Sequence, residues 1–247
     1  MLHYDKLVKN KTRFLALTGL TKKEFQALLP YFQEAFTASL PNNKTLAGQK
    51  RKRAIGAGRK PFLKTTEDKL LFILVFQKSY PVQELLAATY DCSQSVVNDW
   101  LHRLLPVLKA ALTQMKMMPV RKGKKLASQQ SIDSGSTDLI IDGTERRRQR
   151  PKDKEQQKAH YSGKKKTHTD KNLIVSEVKS KRIVYLGTTY VGQVHDKTMA
   201  DTEAIVYPKE TQLHQDTGFQ GYRPKVKRVM QPKKTTKSRV KTKREAT

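Results

Sequence analysis

Asp142 follows the apolar run Leu139-Ile140-Ile141 and is itself followed by Gly143-Thr144-Glu145. Far downstream, Asp216 stands in Gln215-Asp216-Thr217-Gly218-Phe219. A carboxylate at the lip of a buried strand is placed to bind a hard cation, and a second one can share it. The chain also carries a net charge of +28. Such a pair in so basic a protein points to metal-assisted chemistry on phosphodiesters. Neither aspartate is informative alone, because an Asp after a strand is commonly a turn or cap residue.

Elements must bring the two acids together. Apolar alternation predicts a strand over residues 137–142, and two more over 169–178 and 182–190, with Lys179-Ser180-Lys181 as their turn. Residues 196–207 read as a helix, and a short strand should lead into Asp216. Gly218 and Gly221 then turn the chain away. Strand with Asp, hairpin, helix, strand, second Asp is the element order of an RNase H-like core. His195-Asp196 could support the site or cap the 196–207 helix. With Asp170, Asp201 and Glu203 also close in sequence, Asp196 is the alternative second ligand.

The first half of the chain reads as helical. Thr21 with Glu24 fits a capping box opening a helix over 18–37, with Phe25, Leu28, Leu29 and Phe32 at helical spacing. Thr65 or Thr66 should cap a helix through Leu70, Leu71, Ile73, Leu74 and Phe76. Pro81 suits the first turn of the next helix, which would present Leu85, Leu86 and Ala88 on one face. After the turn Tyr90-Asp91-Cys92-Ser93, Ser93 should cap a third helix carrying Val96, Val97, Trp100, Leu101, Leu104 and Leu105. This is a helix-turn-helix plan; the plainer alternative is a three-helix packing module without a nucleic-acid role, against which the basic linker and net charge weigh. On the first reading Gln94, Ser95, Asn98, Asp99 and Arg103 lie near base edges or phosphates.

The bulk numbers narrow the partners. Fifty Lys and Arg oppose 22 Asp and Glu, and such a surplus calls for a polyanion. Residues 48–64 hold seven Lys or Arg and no acid, and 222–247 hold eleven with Glu245 as the sole acid. One cysteine, Cys92, excludes a disulfide framework and cysteine-rich zinc modules, and is expected to be a small buried residue. Scattered histidines argue against zinc. No apolar run is long enough to span a membrane, and a cytoplasmic, nucleoid-associated protein is expected. An RNA-binding sheet would need clustered aromatics, yet Phe, Trp and Tyr make up only 7% of the chain.

Further motifs fall in order: Asp142-Gly143-Thr144-Glu145, Arg150-Pro151, Tyr161-Ser162-Gly163-Lys164-Lys165-Lys166-Thr167-His168-Thr169, Lys171-Asn172-Leu173, Gly192-Gln193-Val194-His195-Asp196-Lys197 and Asp216-Thr217-Gly218-Phe219-Gln220-Gly221. Together they resemble the catalytic domain of bacterial insertion-sequence transposases of the DDE type, nearest the insertion-sequence-five group and its relatives. The likeness runs over about residues 55–232. It implies that Asp142 and Asp216 are the first two metal-binding acids, serving Mg²⁺ or Mn²⁺. It also implies that Lys164, Lys165, Lys166 and His168 lie near DNA, where a solvated hairpin tip is the plainer reading. The family's third acid, a Glu on a later helix, has no match but Glu245. The expectation is a truncated remnant, or the first half of a frameshift product.

The resulting expectation is an α + α/β chain: an N-terminal helical segment (1–37), a basic linker (38–64), a helix-turn-helix domain (65–115), a second linker (116–136), an incomplete RNase H-like core (137–222) and a basic tail (223–247). It would cut and transfer strands at insertion-sequence terminal repeats, self-associating on DNA ends. The rival is a non-enzymatic DNA-binding protein, a truncated transposase repressing its own element.

Overall fold

The computed structural model describes residues 2–40, 62–128 and 138–233 of the chain. Two compact units divide at Met118/Pro119. Most of the basic stretch 48–64, and Glu245, lie outside the described residues.

Among the described residues the N-terminal unit is helical: α1 (Tyr4–Leu7), α2 (Lys11–Thr18), α3 (Lys22–Ala38), α4 (Thr66–Ser79), α5 (Gln83–Tyr90) and α6 (Gln94–Gln114). The predicted capping box opens α3, with Thr21 Oγ1 accepting from Glu24 N–H and the Glu24 carboxylate accepting from Thr21 N–H. Thr65, not Thr66, caps α4, accepting from Asp68 N–H at 3.1 Å. Helix α4 is buried around most of its girth from Asp68 to Phe76, so it forms the axis of this unit's core.

Pro81 stands outside α5, which starts at Gln83 behind the N-cap Val82. The buried face of α5 is Leu86, Ala87 and Tyr90, while Leu85 is 59% exposed. The expected Leu85-Leu86-Ala88 face is therefore rotated, because burial follows the helical stripe of Leu86, Ala87 and Tyr90. Helix α6 continues through Pro106 to Gln114. Ser93 is its N-cap, but the hydroxyl bonds Ser95 Oγ instead of a backbone N–H. Cys92 is half-buried against the core.

The C-terminal unit is mixed α/β. Its elements are β1 (Asp138–Arg147), α7 (Lys154–His160), β2 (Tyr161–Ser162), β3 (Thr167–Glu177), β4 (Ile183–Val191), α8 (Asp196–Glu203), β5 (Gln212–His214) and β6 (Arg228–Met230). Strand β3 pairs antiparallel with β1 on one edge and with β2 and β4 on the other. Strand β1 pairs parallel with β5, and β5 parallel with β6. The chain is thus α + α/β as expected.

Three predicted boundaries change. Strand β1 runs five residues beyond Asp142, since its ladder with β3 holds from Leu139↔Glu177 to Arg147↔Thr169 and Gly143 does not interrupt it. The aspartate is therefore mid-strand. Helix α8 stops at Glu203, where Ala204 turns left-handed (φ 45°) so that Ile205 and Tyr207 can bury. Within the stretch expected to be a basic tail, residues 228–230 form β6, because the otherwise open edge of β5 offers backbone partners.

One face of the sheet carries the core. Leu139 and Ile141 of β1, Leu173 and Val175 of β3, and Leu213 of β5 pack with Met199 and Ala200 of α8 and with Phe219. The opposite face shows Ile140, 39% exposed, and Asp142.

Candidate metal-binding cleft and basic surfaces

The two aspartates open onto one cleft beside the β1/β5 ladder. In the parallel β1/β5 ladder Leu139 lies opposite Leu213, and Ile140 opposite His214. Opposed residues share a face, so the buried Leu139/Leu213 level is followed by Ile140/His214 on the open face. Two residues further along each chain stand Asp142 and Asp216. Both line a cleft of about 640 Å³ together with Ile140, His214, Met230 and Gln231. The sequence placed Asp142 at a strand end; in fact the strand ending beside it is β5, and Asp216 extends just past that end.

One oxygen of each carboxylate is tied to backbone. Gly143 N–H donates to Asp142 Oδ1 and Gly218 N–H to Asp216 Oδ1, each at 2.8 Å. Asp216 thereby caps the 3₁₀ turn Thr217–Phe219. This orients both carboxylates while leaving each a second oxygen for a cation. The chemistry of the pair suits a hard, oxygen-seeking ion such as Mg²⁺, which accepts one or two protein carboxylates and fills its remaining positions with water or phosphate. Among the described residues no group of three His, Cys, Asp or Glu stands together as a metal cage.

Asp196 does not cap α8. His195 is the N-cap and Asp196 the first helical residue. Its carboxylate reaches from the α8 side into the gap left by two glycines. A Cβ at Gly143 would lie 2.6 Å from Asp196 Oδ1, and one at Gly218 would lie 3.1 Å from Asp196 Oδ2 and 3.0 Å from Asp216 Oδ1. Gly143 alternates with Asp142, so Asp196 comes to β1 from the face opposite the one Asp142 presents.

A charged cluster supports that arrangement. Lys171 Nζ lies 3.3 Å from Glu145 Oε1 and 3.5 Å from Asp196 Oδ1, and donates to Val194 O at 3.1 Å. The Lys171 and Glu145 side chains are only 12% and 8% exposed. Burial alone would raise the Glu145 carboxyl; hydrogen bonds from Ser162, Lys171 and Thr169 and the Lys171 charge outweigh it, so the pKa falls below the ordinary value. Sequence reasoning missed this cluster, although the direct opposition of Glu145 and Lys171 follows once the β1/β3 register is known. It also missed α7, too short and polar to show a helical period.

The basic residues fall out separately. Lys164, Lys165 and Lys166 form the exposed tip between β2 and β3, with Lys165 N–H bonded to Ser162 Oγ. His168 sits at the start of β3, edge-on to Tyr161 (centroids 5.8 Å apart). In the N-terminal unit Gln94 and Ser95 are exposed at the start of α6. Asn98 is half-buried and accepts from Gln83 Nε2 of α5 at 3.3 Å. Arg103 stands half a helical turn round from Gln94, its guanidinium 5.0 Å from the Phe36 ring and 5.3 Å from the Trp100 ring. Those rings hold it against α3, away from the face of Gln94 and Asn98.

Residues 141–247 match the family described as DDE superfamily endonuclease. No curated protein matches the chain. No helix among the described residues is long and apolar enough to cross a membrane.

Proposed function

We propose, from the match of residues 141–247 to the DDE superfamily endonuclease family, that the C-terminal unit acts on DNA as a metal-dependent endonuclease and strand transferase. Asp142 and Asp216 would be its cation-binding acids. The observation carrying this is the cleft at the end of the β1/β5 ladder, which is lined by both of these residues distant in sequence. The order Asp-bearing strand, hairpin, helix, strand, second Asp supports an RNase H-like core. A divalent cation held there, Mg²⁺ or Mn²⁺, would lower the pKa of attacking water or a 3′-hydroxyl and offset charge on the phosphate. Asp142 and Asp216 hold and orient, each pinned by a neighbouring glycine N–H.

Helices α5 and α6, joined by the three-residue turn Asp91–Ser93, are proposed to dock on the terminal repeats of an insertion sequence. Gln94 and Ser95 would reach outward for bases or phosphates, with Asn98 held between the two helices. The hairpin lysines Lys164, Lys165 and Lys166 would neutralise backbone phosphates. Self-association on paired DNA ends belongs to the same reading.

Asp142→Asn tests it. With Mn²⁺ and a labelled duplex, the substitution should abolish nicking by the full chain and leave its DNA affinity within about twofold. Loss of binding as well would remove the metal-ligand role from Asp142. Specific binding by the unaltered chain without any metal-dependent nicking would make it a DNA-binding repressor instead.

A further inference from the structure

A second cleft, of about 580 Å³, opens where α7 packs beside the β2/β3 hairpin. Its lining is Arg150, Lys154, Gln157, Lys158, Tyr161, His168 and Gln193, with no carboxylate among them. Three fixed cations thus face one concavity. Arg150 is preset: its Nε and Nη2 donate to Gln157 Oε1 at 3.1 and 2.8 Å, and Gln157 Nε2 is anchored on Pro151 O. Lys154 and Lys158 stand four apart on α7, on one side of the helix. The floor includes an aromatic pair, Tyr161 at 44% exposure with His168 meeting it edge-on.

Cations alone would suit any phosphate. An exposed phenol ring set among them adds an apolar plane of the size of a base, which a paired base cannot use because its faces are covered by its stack. The position is also suggestive. Asp142 lies opposite Ile174, and His168 is six residues before Ile174 on the same strand. Strand alternation gives His168 and Asp142 the same face, about 20 Å apart along the ladder. A strand entering the aspartate cleft would reach this pocket within roughly six nucleotide steps.

We propose that this cleft is a binding site for an unpaired nucleotide of a DNA strand, with the base stacked on Tyr161 and the phosphates held by Arg150, Lys154 and Lys158. The proposal rests on the reading that this unit acts on DNA.

The test uses the full chain in EDTA, with two oligonucleotide duplexes: one blunt, one with a short single-stranded extension carrying 2-aminopurine. The unaltered chain should bind the tailed duplex more tightly and quench the aminopurine. Tyr161→Ala should lose the quench and weaken tailed binding about tenfold, while blunt binding changes less than about twofold. Tyr161→Phe should keep both properties, which separates stacking from misfolding. Lys154→Ala with Lys158→Ala should flatten the salt dependence of tailed binding by about 0.7 in log-log slope for each lost phosphate contact. Equal losses on both duplexes, or no loss on either, would overturn the pocket and leave the Asp142/Asp216 reading standing. No binding of either duplex by the unaltered chain would overturn the DNA reading and the pocket with it.

Discussion

Gly143 sits one residue from a proposed metal ligand, and a side chain there would meet the Asp196 carboxylate. Gly143→Ala would drive its Cβ to 2.6 Å from Asp196 Oδ1, forcing apart the carboxylate that faces Lys171. The expected cost is about 1–3 kcal/mol, read as a lower urea midpoint with an unchanged slope. An unchanged midpoint would mean that Asp196 moves freely and does not brace β1. Lys171→Met should be worse, by about 3–5 kcal/mol, since it strands the shielded Glu145 and Asp196 charges. Lys171→Arg should recover part of the loss. The sequence singled out Asp142 and Asp216 as carboxylates at strand ends, whereas Lys171 and Glu145 acquire a role only when the β1/β3 register sets them face to face.

At the scale of elements, capping chemistry was legible and edges were not. Thr21 and Glu24 are three residues apart, and a box of that spacing satisfies two backbone N–H groups wherever the helix lies. Thr21→Ala should cost about 1 kcal/mol, measured as a lower melting temperature. No change would mean that α3 is held by packing of Phe25, Leu28 and Phe32 alone. Strand β6 shows the converse. Arg228-Val229-Met230 has no pattern of its own and becomes a strand because β5 offers an unpaired edge. Strand β1 likewise outruns its apolar stretch, since the ladder with β3 continues under polar side chains. Arg103, expected among the DNA contacts, lies half a helical turn from Gln94 with its guanidinium over the Phe36 and Trp100 rings, a placement that only packing against α3 supplies.

For the whole molecule, charge and acid stability are the measurable consequences. A chain of +28 binding a polyanion should lose affinity steeply with salt, by about 0.9 in log-log slope for each duplex phosphate neutralised. A slope near zero would remove nucleic acid as the partner. Two half-buried glutamates contribute to the pH response. Burial raises the Glu203 carboxyl, but hydrogen bonds from Tyr185, Thr188 and Tyr190 prevail, and its pKa falls below the ordinary glutamate value, as does that of Glu145. Groups so depressed stabilise the fold fully above their unfolded pKa, about 4.3. That contribution disappears as pH falls through the lower folded values. Stability measured by denaturant should therefore drop below about pH 4.5, and Glu203→Gln should shrink the drop. An identical acid profile in the variant would show that Glu203 is not one of the groups responsible.

Local chemistry is written in neighbouring residues, so the sequence by itself determined the helical first half, the capping box, the strand–hairpin–helix–strand order and the two aspartates worth watching. Pairing register is a property of two segments at once. Only the tertiary structure decided that Asp142 lies mid-strand beside the end of β5, that Asp196 comes from behind through a gap between glycines, and that α7 and the β2/β3 hairpin enclose a basic cleft. Those facts depend on which strand edge finds which partner, and no spacing along a single segment encodes that choice.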